Sequence, residues 1–346
     1  MTGSPVALVL RALGLGDLLT AVPALRAVRR ALPKHRVVLA TDPALAPLAL
    51  LSGAVDDVFP AKGLVPLPWT DPPPEVAVNL HGRGPESHRI LMQTAPRRLV
   101  AYACTAAGIA GPRWDEREHE VRRWCRLVET GFGVPAPAAD LELIVPQVRP
   151  PVHDAVVVHP GAAYPSRRWP ANRFAKVAFY CRARHGQVVV TGSARERGLA
   201  ESVCRAAGLP EEACLAGRTS LLELAALVAH ARLAVSGDTG VAHLATAYRT
   251  PSVVLFGPTS PSLWGPIGPG PHIALWHGDA ASLQPGDPWG ARLDPTLVGI
   301  TVEEVISATQ RLLAERLPAR GTTARLPLDR RPTTTPVPSP EVAGPA

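Results

Sequence analysis

The sequence predicts an α/β protein made of two Rossmann-like domains with parallel sheets. Three observations predict it. Short apolar runs without polar alternation recur with room for a helix between them, as strands covered on both faces require. A stretch rich in Pro, Ala and Val over residues 133–152 separates two such series. Glycine-bearing turns follow the ends of several runs, where open α/β sheets place their ligands.

In the first series, Val6-Ala7-Leu8-Val9-Leu10 reads as a buried strand, and Gly14-Leu15-Gly16-Asp17 as the turn after it. A helical pattern follows, with Leu18, Ala21, Val22 and Leu25 on one face and Arg26, Arg29 and Arg30 near its end. Pro23 sits early enough to kink that helix rather than abolish it. Val37-Val38-Leu39-Ala40 is the next strand, followed by a Pro-punctuated helix over 44–51. Val76-Ala77-Val78-Asn79-Leu80 is another strand and runs into His81-Gly82-Arg83-Gly84. A helix from Arg117 to Thr130 closes an N-terminal domain over 1–132, and 133–152 is the expected linker.

The pattern then restarts in a C-terminal domain over 153–300. Strands are expected at 155–159, 187–191, near Cys214, at 233–236 and at 252–256. Helices are expected at 172–184, 197–207, 221–231 and 241–248, with Phe174, Val177, Ala178 and Cys181 forming the buried face of the first. A last helix spans 301–317. Beyond Pro318, the Thr-, Pro- and Arg-rich tail 318–346 has the composition of a disordered segment.

Composition narrows the function classes. At 346 residues and 46% apolar content the chain can fill two ordinary cores. A net charge of +7, carried mostly by Arg, favours an anionic partner. Nucleic acid fits poorly, because the basic residues are scattered, aromatics are only 5%, and no recognition-helix or zinc-finger pattern occurs. Five cysteines without CxxC spacing read as reduced thiols of a cytoplasmic protein. Met1 to Leu10 lacks a basic leader, and no apolar run approaches the roughly 20 residues that cross a bilayer. A cytoplasmic chain is therefore expected, with peripheral contact at the inner face of the membrane as the most its basic charge would add.

Three constellations carry chemistry. In the first, two glycines permit a tight turn, and Asp17 stands at a helix start, where it can take a proton from a hydroxyl nucleophile or simply cap the helix. Arg11 can neutralise an anion, pair with Asp17, or be an ordinary surface charge; Gly16 and His81 complete the candidate acceptor or anion side. The second is His159-Pro160-Gly161-Ala162-Ala163, followed by Ser166-Arg167-Arg168-Trp169-Pro170. Gly161 offers backbone approach and Arg167 or Arg168 fixed positive charge for phosphate, while Trp169-Pro170 anchors a helix start. Gly192-Ser193 with Glu196 follows another strand, and Glu196 can accept from a ribose or remain a solvated helix-start carboxylate.

The third constellation says most. Ser236-Gly237-Asp238-Thr239-Gly240-Val241-Ala242-His243-Leu244-Ala245, then Phe256-Gly257-Pro258-Thr259, reads as strand, turn and helix. The Thr239 and Gly240 amides are free at a helix N-terminus and suit a phosphate. Asp238 flanks the turn, and His243 lies one helical turn beyond Thr239. A capping Asp and a packed His are the plain alternatives.

Together these segments resemble the ADP-heptose:lipopolysaccharide heptosyltransferases, glycosyltransferase family 9. The matching pieces are Arg11 through Arg26, Val156 through Phe174, Val188 through Glu196 and Ser236 through Trp264. The resemblance implies a GT-B fold, a nucleotide-diphospho-sugar donor held by the C-terminal domain, and inverting transfer that needs no metal or other cofactor. The implied donor is ADP-linked and the acceptor a glycan or glycolipid. It also implies Asp17 as general base with a basic residue beside it at Arg11. Arg167 would stand at the phosphate-binding Lys position, with Asp238, Thr239, Gly240 and His243 around the diphosphate. Arg stands where Lys is common at 11 and 167, which keeps the charge but alters its geometry.

Two other classes remain from the residues themselves. Gly14-x-Gly16 after the first strand, with Asp42 after the second, is a partial dinucleotide fingerprint, although Leu19 holds the third glycine position. A nucleotide-sugar binding protein without catalysis is the third reading.

Overall fold

The computed structural model describes residues 4–279 and 286–314. Two five-stranded, all-parallel sheets organise it. The first uses β1 (Val6–Leu10), β2 (Arg36–Thr41), β3 (Asp57–Pro60), β4 (Val76–Asn79) and β5 (Arg98–Val100), in the order β3-β2-β1-β4-β5. The second uses β6 (Val156–His159), β7 (Val188–Val190), β8 (Leu233–Gly237), β9 (Ser252–Leu255) and β10 (His272–Leu275), in the order β10-β9-β8-β6-β7. Each order reverses beside its first strand, between β1 and β4 and between β6 and β8. Ligand crevices open outside the carboxyl ends of strands at such points. The registers Leu8↔Ala77 and Val158↔Val235 put Arg11 beside Leu80 and His159-Pro160 beside Ser236-Gly237, one residue short of Asp238.

The central strands are buried because helices cover both faces of each sheet: Ala7, Leu8, Val9, Val156, Val157 and Val158 are fully inaccessible. The helices are α1 (Leu15–Thr20), α2 (Val22–Ala31), α3 (Ala46–Leu51), α4 (Glu86–Met92), α5 (Glu120–Phe132), α6 (Ala171–His185), α7 (Arg197–Ala206), α8 (Leu221–Ala229), α9 (Gly240–Ala247), α10 (Pro261–Trp264), α11 (Pro295–Gly299) and α12 (Val302–Ala314).

Several expectations need correction. The single kinked helix after Gly16 is two helices, because Pro23 enters the first turn of α2 and Ala21 becomes the junction. The helix expected from Arg117 starts at Glu120, where the His119 Nδ1 accepts from the Val121 N–H; it ends at Gly133 with φ 67°. The strand expected near Cys214 is a 3-10 turn over Glu211–Ala213, after which Cys214 alone makes an isolated parallel bridge to Val190. Of the expected last helix, 302–314 is seen; positions 315–317 and the tail 318–346 lie outside the described residues. All five cysteines are free thiols, four of them buried and Cys104 half-buried.

The two sheets do not stand apart. Leu25 and Val28 of α2, Val121 of α5, Val228 of α8 and Leu244 of α9 belong to one continuous buried apolar cluster. Burying such side chains contributes roughly 1.5–3 kcal/mol each, so this junction holds the halves together. The Pro-rich connection lies against both halves: the Ile144 N–H donates to Leu51 O (3.2 Å) and the Leu143 N–H to Ala247 O (3.3 Å). Arg26 reaches the Asp140 carbonyl at 3.0 Å from the other side.

Candidate functional site

The first and third constellations meet. A Cβ placed on Gly16 would come within 2.9 Å of the His243 ring and 3.9 Å of the Gly240 Cα. One placed on Gly240 would lie 2.8–2.9 Å from three side-chain carbons of Leu15. Both positions need glycine because α1 and α9, which start the helices after β1 and β8, abut at their N-terminal ends. Close backbone approach is the reason, since neither glycine has a positive φ.

Asp17 is held from behind. Its Oδ2 accepts from the Gly14 N–H at 3.2 Å, and its Oδ1 is 3.5 Å from the Arg11 Nη2. The side chain is still 29% exposed, enough for a substrate hydroxyl to reach it. Burial raises its pKa, Arg11 partly offsets this, and Glu120 adds to the rise. A carboxylate of raised pKa is a stronger base near neutral pH.

Arg11 does not face a ligand. It is 1% exposed. Its Nε donates to the Asp17 carbonyl at 2.9 Å, its Nη1 to Leu80 O, and its Nη2 to Thr20 Oγ1 at 3.2 Å and Glu120 Oε1 at 2.9 Å. The guanidinium lies 4.7 Å from the Trp124 ring centroid. Arg11 as an anion receptor is therefore corrected: its charge is spent inside the protein, on Asp17 and Glu120. His81 is turned inward as well. Its Nδ1 accepts from the Ala12 N–H at 3.2 Å, while Asn79 Oδ1 fixes its backbone. Burial, with Arg11 assisting, lowers its pKa to about 4, so at neutral pH it carries no charge for an anion.

Across the junction, Asp238 follows β8 and is 6% exposed. Its Oδ2 is 3.9 Å from the Arg167 Nη1 and its Oδ1 is 4.0 Å from the His243 Nε2. Burial pushes its pKa up to about 6, with Arg167 lowering it and Asp17 raising it. Those opposed influences place Asp238 within electrostatic reach of both half-sites. His243 is driven to about 4 by burial first, with His119 and Arg167 lowering it further against Glu120, and stays neutral.

Arg167 is the cation of this site with unmet bonding. Its Nε is buried without a hydrogen-bond partner among the described residues, as are the neighbouring Ser166 Oγ and Thr239 Oγ1. Such groups cost free energy unless a ligand satisfies them. The 165–167 turn that carries it crosses the ends of β8 and β9: Cβ atoms on Gly237 and Gly257 would meet the Arg167 and Ser166 carbonyls at 3.1 and 3.5 Å. Arg168 differs, since its Nε donates to Ala162 O at 2.9 Å. At the start of α9 the Gly240 and Val241 N–H groups have no intrahelical acceptor, while the Ala242 N–H already donates to Thr239 O at 3.0 Å.

Glu196 closes a capping box with Ser193, accepting from its N–H and Oγ, both at 2.8 Å. Its other oxygen stands where a Gly161 Cβ would fall, 2.3 Å away, so Gly161 leaves room for that carboxylate. These three residues lie together at the ends of β6 and β7. Asp42, the partner in the dinucleotide fingerprint, caps a 3-10 turn by accepting from the Ala44 N–H, and Leu19 is buried.

Three residues of this region were not singled out in the sequence. His119 donates from Nε2 to Gly265 O at 3.0 Å, joining α5 to the C-terminal half. Trp264 stacks edgewise on His243, with centroids 6.0 Å apart. Glu120 receives Arg11, the Trp124 Nε1 at 2.7 Å, and Arg123. Only the third had a signal, an acid in a helix's first turn, and helix-dipole complementarity explains that without any partner.

Comparison with known proteins places this arrangement. The family profile described as glycosyltransferase family 9 (heptosyltransferase) matches residues 111–282. Lipooligosaccharide heptosyltransferase 2 of Haemophilus influenzae is 34% identical over 163 residues, 45% of this chain and 46% of that protein. Lipopolysaccharide heptosyltransferase 3 of Escherichia coli is 33% identical over 176 residues, 49% and 50% of the two chains. The matches thus span about half the length of these curated relatives. The fold extends further: a glycosyl transferase family 9 structure from Veillonella parvula superposes with a TM-score of 0.74 at 19% identity, over 90% of this chain and 98% of that one. The E. coli ADP-heptose LPS heptosyltransferase II gives 0.69 at 20% identity, over 89% and 98%. The GT-B architecture expected from the sequence is the one observed.

Proposed function

Because the chain belongs to glycosyltransferase family 9, we propose that it transfers a sugar from a nucleoside-diphosphate donor to a hydroxyl of a glycan or glycolipid. The observation that carries this reading is the meeting of two unlike half-sites: a reachable carboxylate at Asp17, and, beside Gly240, a guanidinium Nε at Arg167 and a hydroxyl at Thr239 that lack hydrogen-bond partners among the described residues. The donor diphosphate sits against Arg167, Thr239 and the first amides of α9. Ser193, Glu196 and Gly161 receive the nucleoside end.

Asp17 takes the proton of the acceptor hydroxyl as its oxygen attacks the anomeric carbon. The bond from that carbon to the diphosphate breaks on the opposite face, so the configuration inverts. The departing nucleoside diphosphate gains one negative charge, which Arg167 and the α9 amides meet. In this account the protein's own cation and dipoles do what a metal does in other transferases. His243, neutral and wedged against Gly16, spaces the two turns and excludes water between them.

The heptosyltransferase names of the relatives support a heptose-like sugar and a lipopolysaccharide-type acceptor. An E. coli heptosyltransferase structure with ADP, similar in fold at a TM-score of 0.64, supports an ADP-linked donor. The dinucleotide reading loses its support, because Asp42 is engaged as a cap. Thermal-shift measurements with ADP, UDP, GDP, dTDP and NAD, paired with anomer assignment of the product by NMR, test the proposal. Stabilisation by ADP and an inverted product are expected; stabilisation by NAD alone, or a retained anomer, overturns it.

A further inference from the structure

Behind the base lies a buried charge network that the reaction as described does not use. Arg11 and Glu120 have side-chain exposures of 0% and 7%, and are bonded at 2.9 Å. They come from the end of β1 and the first residue of α5, 109 positions apart. Glu120 has two cations, Arg11 through Oε1 and Arg123 through Oε2, and its Oε1 also accepts from Trp124. Aromatic rings cover both guanidiniums, Trp124 under Arg11 at 4.7 Å and Trp114 under Arg123 at 4.3 Å. A capped, apolar-walled ion cluster is an expensive way to hold a helix end, since burying charges rarely adds stability over well-packed apolar residues. Asp17 links this cluster to the candidate site, because Arg11 holds it by both the backbone carbonyl and the carboxylate.

We propose that Glu120 is a positioning residue that sets the basicity of Asp17, by neutralising Arg11 so that the guanidinium orients the carboxylate without suppressing it as a proton acceptor. An unopposed buried guanidinium beside Asp17 would stabilise its ionised form and weaken it as a base. Glu120 acts against that, holding the Asp17 carboxyl higher than Arg11 alone would. Asp238, from the β8–α9 turn, is the other titratable group that senses Asp17; the neutral His81 after β4 senses Arg11 instead, and the neutral His243 on α9 packs against Gly16. None of them touches Arg11 in the way Glu120 does.

This inference rests on Asp17 as the base, and the test separates the two. Glu120→Gln keeps Oε1 for Arg11 and Trp124 but removes the charge. The acid limb of its kcat/KM–pH profile moves to lower pH, and kcat near neutrality falls about tenfold with donor KM unchanged. Glu120→Asp keeps the charge, so its acid limb stays where the parent's is, whatever its rate. Arg123→Gln takes one cation from Glu120 and moves the limb the opposite way, to higher pH, which keeps the test decisive even where Glu120→Gln folds poorly. An acid limb unmoved in both Glu120→Gln and Arg123→Gln, or moved alike in Glu120→Gln and Glu120→Asp, overturns the proposal. Undiminished turnover in Asp17→Ala would instead remove the base and leave the network as structure.

Discussion

Replacing Gly240 with Ala probes the contact between the two half-sites at its tightest point. The added methyl falls 2.8 Å from Leu15 Cδ2, 2.8 Å from its Cγ and 2.9 Å from its Cβ. A new rotamer can move Cγ and Cδ2 away, but Cβ is fixed to the α1 backbone, so α1 must shift by a few tenths of an ångström. Two effects oppose each other. Alanine is the better helix former by up to about 1 kcal/mol, less at a first position whose N–H is unbonded in any case. Overpacking a tight contact costs about 1–3 kcal/mol. The steric term wins, because three atoms rather than one flexible tip are in the way. We expect a net loss of about 1–2 kcal/mol in urea unfolding and a fall in Tm of a few degrees. Because the same shift displaces the α9 amides relative to Asp17, kcat should drop more than tenfold. Adding Leu15→Ala removes two of the three clashing atoms and should recover at least about 0.5 kcal/mol beyond additivity. A Gly240→Ala protein with parental Tm and turnover would refute the claim that the turns are packed against each other.

Arg167→Ala should weaken nucleoside-diphosphate affinity by about 10- to 100-fold in calorimetry, as losing charge-assisted bonds does, whereas Arg168→Ala, whose Nε is bonded to Ala162 O, should change it less than about threefold; equal effects would contradict the assignment. His243 and Asp238 should give opposite pH dependences of stability. The His243 pKa, lowered to about 4, costs stability as pH falls from 6.5 toward 4, while that of Asp238, raised to about 6, returns stability as pH falls from 6 toward 3.8. Each is worth about 3 kcal/mol at most, so Asp238→Asn should steepen acid destabilisation and His243→Gln should flatten it, read from urea midpoints between pH 7 and 4. Excess EDTA should leave the transfer rate within about twofold of the untreated enzyme; a loss that a divalent cation restores would show that the protein's own charges do not suffice.

How much of this was legible follows from which residues speak locally. The central strands declared themselves because both faces are covered: Val6–Leu10 and Val156–His159 are unbroken apolar runs up to their last residues. β3, β5 and β10 went unseen for the converse reason. They are edge strands of three or four residues in which exposed or half-buried positions predominate, and each opens on a polar residue, Asp57, Arg98 or His272, that leaves only a short apolar run. The glycine turns were readable one at a time, since Gly16 and Gly240 each sit between a strand and a helix. That they face each other is a tertiary fact, carried by Leu15 and His243, whose spacing is compatible with plain helix packing. Arg11 shows the limit most clearly. Its charge suggested a ligand, but its partner Glu120 lies in a helix far along the chain, and only the fold shows that the charge is already satisfied.

Sugar transfer by this chain depends on Asp17 acting as proton acceptor opposite an anion cradle that works without it. Asp17→Ala, measured for both nucleoside-diphosphate binding and sugar transfer, tests this most directly. The prediction is a Kd within about threefold of the parent and turnover reduced at least about 100-fold, within the range such a base contributes. Sugar transfer at the parental rate would contradict it.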